Sequence, residues 1–246
     1  MDKDFEKLLK EFENIKKQGF VKSEIKSANG AGQTLEKMLN AGGSDFCFPD
    51  YYGIELKAIR NYNDATFDLF NSTPDSNHVF STQWIAEKYG YPDKDFKNKK
   101  VFKGDIYGNE LRKIGLFNYY KLRVDYVNQK IILDIYNYKK ELINSDLYWD
   151  FDDVKSKLEL KLSKLALITT DKIYSNGNYY YFYKEIKCYV LKTFEKFLNL
   201  IETGTIYVTF KYGIYKSGIH KGEYHDHGTS FKISKKDLKL LFTEYN

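Results

Sequence analysis

Phe48-Pro49-Asp50-Tyr51-Tyr52-Gly53-Ile54-Glu55-Leu56-Lys57-Ala58-Ile59 decides how this chain is read. Pro49 to Gly53 has the composition of a turn, and Ile54 to Ile59 that of a strand. On a strand, residues two apart share a face. Glu55 and Lys57 therefore point one way, while Ile54, Leu56 and Ala58 face a core. Asp50 adjoins this strand across one tight turn. Two carboxylates and an ammonium so placed can hold a divalent metal beside a phosphodiester. Mg²⁺ takes oxygen ligands, usually one or two carboxylates with waters and phosphate oxygens. Asp50 and Glu55 are the candidate metal ligands, with the Leu56 carbonyl as a third. Lys57 can neutralise charge developing on the phosphate or orient the attacking water.

The triplet alone is weak. Acid-x-Lys also occurs at Glu24, Asp95, Asp153, Glu159, Glu185 and Asp237, as expected by chance in a chain with 36 lysines. Asp153, Glu159 and Lys161 even approach the right spacing. However, Phe151, Val154, Leu158, Leu162 and Leu165 recur at helical intervals, so Glu159 and Lys161 should diverge on a helix. The setting of Glu55, with Gly42-Gly43-Ser44 and the short apolar run 46–48 upstream, is what sets it apart.

Of the 246 residues, 42% are hydrophobic and 30% charged, with 23 Tyr and 18 Phe, so an ordered globule with a sizeable core is expected. Cys47 and Cys188 give neither a disulfide framework nor a zinc cluster, which fits a reducing cytoplasm. No signal peptide is visible: Phe5, Leu8, Leu9, Phe12 and Ile15 mark an amphipathic first helix. No apolar run approaches the roughly 18 residues of a membrane span. A net charge of +5 suits a polyanion partner without proving one. Arg60, Arg112 and Arg123 are the only arginines, so phosphate contacts fall mainly to lysine.

Further elements are expected as follows. A loop at residues 30–34 leads into a helix around 35–39. A polar, turn-rich surface excursion spans 61–108. Strands cover 119–127, 130–136, 166–170, 179–191, 205–214 and 228–233. Helices cover 151–165, 193–201 and 237–242. Strands and helices mixed without strict βαβ alternation predict an α/β or α+β fold around a mixed sheet.

Three stretches carry a resemblance. Gly53-Ile54-Glu55-Leu56-Lys57 resembles the G-[IV]-E-L-K strand of the MutH-type nucleases. Gly32-Gln33-Thr34-Leu35-Glu36-Lys37-Met38-Leu39 is similar to the helix bearing their additional active-site glutamate. Residues 218–233, with His225-Asp226-His227-Gly228-Thr229 inside them, resemble the recognition segment of the MvaI/BcnI-type restriction endonucleases. The resemblance implies a restriction-endonuclease-like mixed sheet flanked by helices, with a catalytic lobe (1–146) and a recognition lobe (147–246) around a DNA cleft. It implies a monomeric type II endonuclease that hydrolyses double-stranded DNA with Mg²⁺, one strand at a time. The implied site is CCWGG, cut after the second C. Mn²⁺ should substitute for Mg²⁺, and Ca²⁺ should bind without supporting cleavage. A cognate DNA methyltransferase acting on the same site is the expected companion. The MutH spacing falls between the two aspartates available here, Asp50 at five residues before Glu55 and Asp45 at ten. Asp50 is preferred because it needs only one tight turn.

Glu36 has two readings. An acid in the first turn of a helix is favoured by the dipole alone; the resemblance makes it an auxiliary active-site acid. His225 and His227 lack further ligands for zinc. Beside Lys216, Lys221, Glu223, Asp226, Thr229 and Lys232 they fit better as groups touching base edges. A target of cytosines and guanines needs acceptors for cytosine N4 and donors for guanine O6 and N7, and this segment offers both. The lysines at 94, 97, 99, 100 and 103 are read either as a phosphate clamp or as a solvated face. Two other readings stay open: a non-catalytic duplex-binding protein on a nuclease fold, and a strand-nicking repair enzyme.

Overall fold

A computed structural model describes residues 2–23, 25, 30–41, 48–59, 66–76 and 81–245. In chain order the elements begin with α1 (Lys3–Lys16), β1 (Val21–Lys22), α2 (Gly30–Met38), β2 (Ile54–Ile59) and β3 (Thr66–Asn71). Next come α3 (Ser81–Tyr89), β4 (Tyr91–Pro92), β5 (Lys100–Ile106), β6 (Arg112–Ile114), β7 (Asn118–Asp125) and β8 (Lys130–Tyr136). β9 (Leu142–Asp150), α4 (Phe151–Leu162), β10 (Lys164–Ser175), β11 (Asn178–Leu191) and α5 (Phe194–Glu202) follow. The chain closes with β12 (Ile206–Ile214), β13 (Tyr224–Asp226), β14 (Ser230–Ser234), α6 (Leu238–Leu241) and β15 (Phe242–Tyr245).

The chain forms two compact units, each discontinuous in sequence. The first gathers residues 1–65, 157–193 and 235–246; the second gathers 66–156 and 194–234. This differs from the contiguous division into 1–146 and 147–246. The reason is strand pairing. In the first unit β2 lies parallel to β10, matching Ile54 to Lys164 and Ile59 to Thr169, so a unit that holds β2 also holds residues beyond 160.

The first unit is built on a mixed sheet in the order β1-β11-β10-β2, with β15 also pairing β11. The paired β10 and β11 run antiparallel, with an irregularity between Thr169 and Thr170. α1 begins where Asp2 accepts the N–H groups of Asp4 and Phe5 at 3.0 and 3.3 Å, satisfying two of the four donors a helix start leaves over. Its Phe5, Leu8, Phe12 and Ile15 join Leu35, Ile54, Leu56, Ile168 and Tyr183 in one core. Gly30-Ala31-Gly32 is helical rather than a loop, because Ala31, Thr34 and Leu35 present one buried face from the first turn.

The second unit contains a six-stranded sheet, β3-β14-β12-β5-β4 with β13 on β12, and a four-stranded sheet, β6-β7-β8-β9. The expected surface excursion at 61–108 is corrected here. Residues 60–65 and 77–80 lie outside the described residues, but Phe70, Ile85, Val101, Phe102 and Ile106 are core residues. Polar loop composition masked short buried strands. Aromatic packing dominates this core: Trp149 meets Phe210 and Phe231, and its indole N–H donates to the Ser72 carbonyl at 2.8 Å. The expected closing helix at 237–242 shrinks to the four residues of α6, since Phe242–Tyr245 pairs with β11 instead.

Candidate active site

Asp50 reaches the strand through a two-residue hairpin. Tyr51 and Ile54 exchange backbone hydrogen bonds of 3.0 and 2.7 Å, and Tyr52 and Gly53 take φ values of 43° and 78°. Positive φ at both central positions defines a type I′ turn, which glycine adopts without strain. The turn lays Asp50 back along β2, where its Oδ2 accepts the Leu56 N–H at 2.9 Å. Asp45 lies outside the described residues.

Glu55 departs from the expected open polar face, because its residue is only 2% exposed. One carboxylate oxygen, Oε1, takes the Lys57 ammonium at 2.7 Å and the Lys161 ammonium at 3.5 Å. The other, Oε2, is buried with no hydrogen-bond partner among the described residues. Burial drives the Glu55 carboxyl above its ordinary range, and Asp50 adds to the rise while Lys57 and Lys161 oppose it. Glu36, half-buried on α2, is raised too, by burial first and then by the charges of Asp50 and Glu55. It is the seventh residue of α2, which starts at Gly30, so the helix dipole does not account for its position.

An orphaned carboxylate oxygen beside two further acids suits a hard divalent cation, which takes oxygen ligands and removes the repulsion among them. Asp50 and Glu55 would hold it. The tighter acidic triad among the described residues is a different one, Asp75, Asp150 and Asp153 in the second unit, whose oxygens lie within 4.8 Å of one another. Asp75 and Asp153 there are exposed, as acidic groups on surfaces commonly are.

Lys161 escaped the sequence reading. Glu159 and Lys161 do sit on a helix, α4, as their spacing predicts. Yet α4 runs directly into β10, whose register places Leu165 opposite Glu55. The end of α4 is thereby carried to the site. Pattern reading could set Lys161 apart from Glu159 but not see a partner more than 100 residues away.

The recognition candidates divide by their surroundings in the second unit. Lys221, Glu223, Asp226 and His227 are exposed. Glu223 pairs with His220 at 2.9 Å, and Asp226 accepts the Gly228 N–H at 2.8 Å. The His225 and His227 rings lie 4.1 Å apart. Burial, then His227 and Lys103, hold the His225 imidazole below its usual range and so neutral near pH 7. Three others are occupied internally. Thr229 is fully buried, Lys232 pairs with Asp68 at 3.3 Å, and Lys216 is bound to Asp93. Their side chains serve this unit's own packing and ion pairs.

Asp93 gives a pH prediction. Burial opposes its ionisation, but Lys216 and the Asp95 and Phe96 N–H groups outweigh that and hold its carboxyl at about 2. A depressed folded-state value stabilises above the unfolded value, near 3.9, and the benefit is lost as pH falls through about 2. The stability gap between wild type and Asp93→Asn, measured by urea unfolding, should therefore be constant above about pH 5 and close between about pH 4 and 2. An unchanged gap at pH 2 would show that the carboxylate contributes nothing.

A mixed sheet carrying a strand acid, a turn acid and two lysines on one carboxylate is an arrangement suited to a nuclease. The chain belongs to the MvaI/BcnI restriction endonuclease family, whose sequence profile matches residues 9–242. It is a type II site-specific DNA endonuclease. MvaI in complex with its cognate DNA substrate is similar over 100% of this chain and 98% of its own, at a TM-score of 0.87 and 25% identity. MvaI in the absence of DNA aligns over the same shares with a TM-score of 0.65 and 24% identity. Length and motif suggest MvaI itself; 25% identity makes the chain a distinct relative. A comparison with curated proteins finds no match. No helix among the described residues is long and apolar enough to cross a membrane.

Proposed function

We propose that this chain cuts double-stranded DNA at CCWGG, after the second C, with Mg²⁺ held by Asp50, Glu55 and the Leu56 carbonyl. The observation that carries the metal reading is Glu55: buried, balanced by two lysines on one oxygen and unpartnered on the other. A divalent cation bound there supplies water activation and neutralises charge on the phosphate. Asp50 and Glu55 set its place. Asp50 is itself fixed by the Leu56 N–H, so the first ligand and the strand move as one. Lys57 extends from the same strand face as Glu55 and serves the scissile phosphate and the attacking water. Glu36 adds a third negative group and assists in orienting that water. Mn²⁺ replaces Mg²⁺ in this reading, and Ca²⁺ binds without supporting cleavage.

Lys221, Glu223, His225, Asp226 and His227 meet the duplex, donors toward guanine and acceptors toward cytosine. The enzyme acts as a monomer with one catalytic site, so the two strands are cut in successive events. A DNA methyltransferase acting on the same sequence protects the host's own sites.

Incubating supercoiled plasmid with the protein and Mg²⁺, then sequencing the fragment ends, tests all of this. Nicked circles should rise first and then fall as linear product accumulates, every end should map to CCWGG, and excess chelator should stop the reaction. Cleavage that persists in chelator sinks the metal reading. Tight, salt-sensitive binding with no nicking in any divalent metal would leave a non-catalytic duplex-binding protein. Ends at CCSGG would move the specificity to the other branch of the family.

A further inference from the structure

Residues 93–99 form a tight turn with no role in the chemistry above. Asp93, only 6% exposed, accepts the N–H groups of Asp95 and Phe96 at 2.9 and 3.0 Å. Its own N–H donates to the Lys99 carbonyl at 2.8 Å. This turn grips the loop at 215–223 in three places. The Lys216 ammonium is bound to Asp93 and lies 3.0 Å from Asp95. The Lys99 ammonium donates to the Gly222 carbonyl at 2.6 Å. The Phe96 ring covers Gly222, where a Cβ would lie 3.5 Å from it and where φ is 92°.

The loop is held but not buried. Tyr215 and Gly222 close its base through a 2.9 Å hydrogen bond, while Ile219 at its tip is 94% exposed and Lys221 is exposed beside it. A buried carboxylate and two lysines thus fix a segment that adds almost nothing to the core. Such anchoring serves position, and position matters where a loop must meet a partner without first being ordered.

We propose that the 93–99 turn is a brace that holds the 215–223 loop in the form in which it meets duplex DNA. Asp93 is then a specificity-determining positioning residue that acts through Lys216. The inference rests on the reading of this segment as the DNA-reading element. Loss of the brace adds an ordering cost to binding, so affinity and discrimination fall while the cleavage step on bound DNA does not change.

The test uses the full chain with two oligoduplexes, one carrying the cleaved sequence and one with a single altered base pair. Binding is measured in Ca²⁺ and cleavage as a single-turnover rate in Mg²⁺ at saturating enzyme. Asp93→Asn keeps a side-chain oxygen for the two N–H groups, and Lys216→Met keeps the apolar stem over Phe96. Each should weaken cognate binding by about tenfold, narrow the cognate-to-altered ratio, and leave the single-turnover rate within about twofold. Because Lys216→Met already removes the contact that Asp93→Asn weakens, the double variant should be no worse than Lys216→Met alone. Unchanged affinity and ratio in Asp93→Asn and Lys216→Met overturn the brace. So does a loss of single-turnover rate in either. Lys221→Ala separates the two levels of inference: if it weakens binding and the brace variants do not, the brace alone fails. If none of the three affects binding while wild type cuts normally, the loop is not the reading element and both ideas fall.

Discussion

Lys57→Ala is expected to lower the single-turnover rate of duplex cleavage in Mg²⁺ by about 10²- to 10³-fold, the scale on which rate is lost when a preorganised group facing developing charge is removed. The fold should survive. Lys57 is partly exposed, and its 2.7 Å contact with Glu55 is backed by Lys161 on the same oxygen, so deleting it does not strand a buried charge. DNA affinity in Ca²⁺ should fall little, because one ammonium is a small part of a lysine-rich contact surface. The signature is thus a fall in rate at saturation with near-normal binding, which marks an interaction made in the transition state. Lys57→Arg should rescue poorly, since a planar guanidinium cannot occupy the compact position of an ammonium beside both carboxylate and phosphate. A wild-type rate in Lys57→Ala would sink the assignment of this residue to the chemistry.

Much of the first unit was legible because its signals are local. The β2 boundaries follow from a turn of known chemistry and an apolar alternation, and α1 from Phe5, Leu8, Phe12 and Ile15 on one face. The structure brings Asp50, Glu55, Lys57 and Glu36 into one neighbourhood, since each lies on β2, its entering turn or the helix packed upon it. What escaped depends on long-range pairing. Lys161 reaches Glu55 only because β10 runs parallel to β2, and the two units interleave for the same reason. Burial was also misjudged. Alternation gave Glu55 a shared face with Lys57, but not that Glu55 itself is covered. In the second unit, composition could not show that Lys216 and Lys232 meet Asp93 and Asp68, or that Thr229 lies in the core, because those partners come from segments far away in the chain.

Glu55→Gln is expected to abolish measurable cleavage while raising the stability of the metal-free protein. Losing a group that only hydrogen-bonds a metal ligand commonly costs about 10- to 100-fold in metal affinity or activity, and losing a direct ligand should cost more. The stability argument runs the other way. Burial holds the Glu55 carboxyl above its ordinary value, so its ionised form costs the fold stability despite Lys57 and Lys161. A raised folded-state value contributes stability below the unfolded value and loses it as pH rises through the folded one. A permanently neutral amide avoids that loss and relieves the repulsion that Asp50 and Glu36 feel from Glu55. The amide oxygen can still accept from Lys57, and the NH₂ group can take the place of the unpartnered Oε2. Thermal melts in chelator and in Ca²⁺ separate the two effects. Wild type should melt lower in chelator and gain with Ca²⁺, as any ion that binds only the folded state requires. Glu55→Gln should melt at or above wild type in chelator and gain nothing from Ca²⁺. An equal Ca²⁺ gain in both proteins would place the ion elsewhere, with the Asp75, Asp150 and Asp153 group the next to mutate.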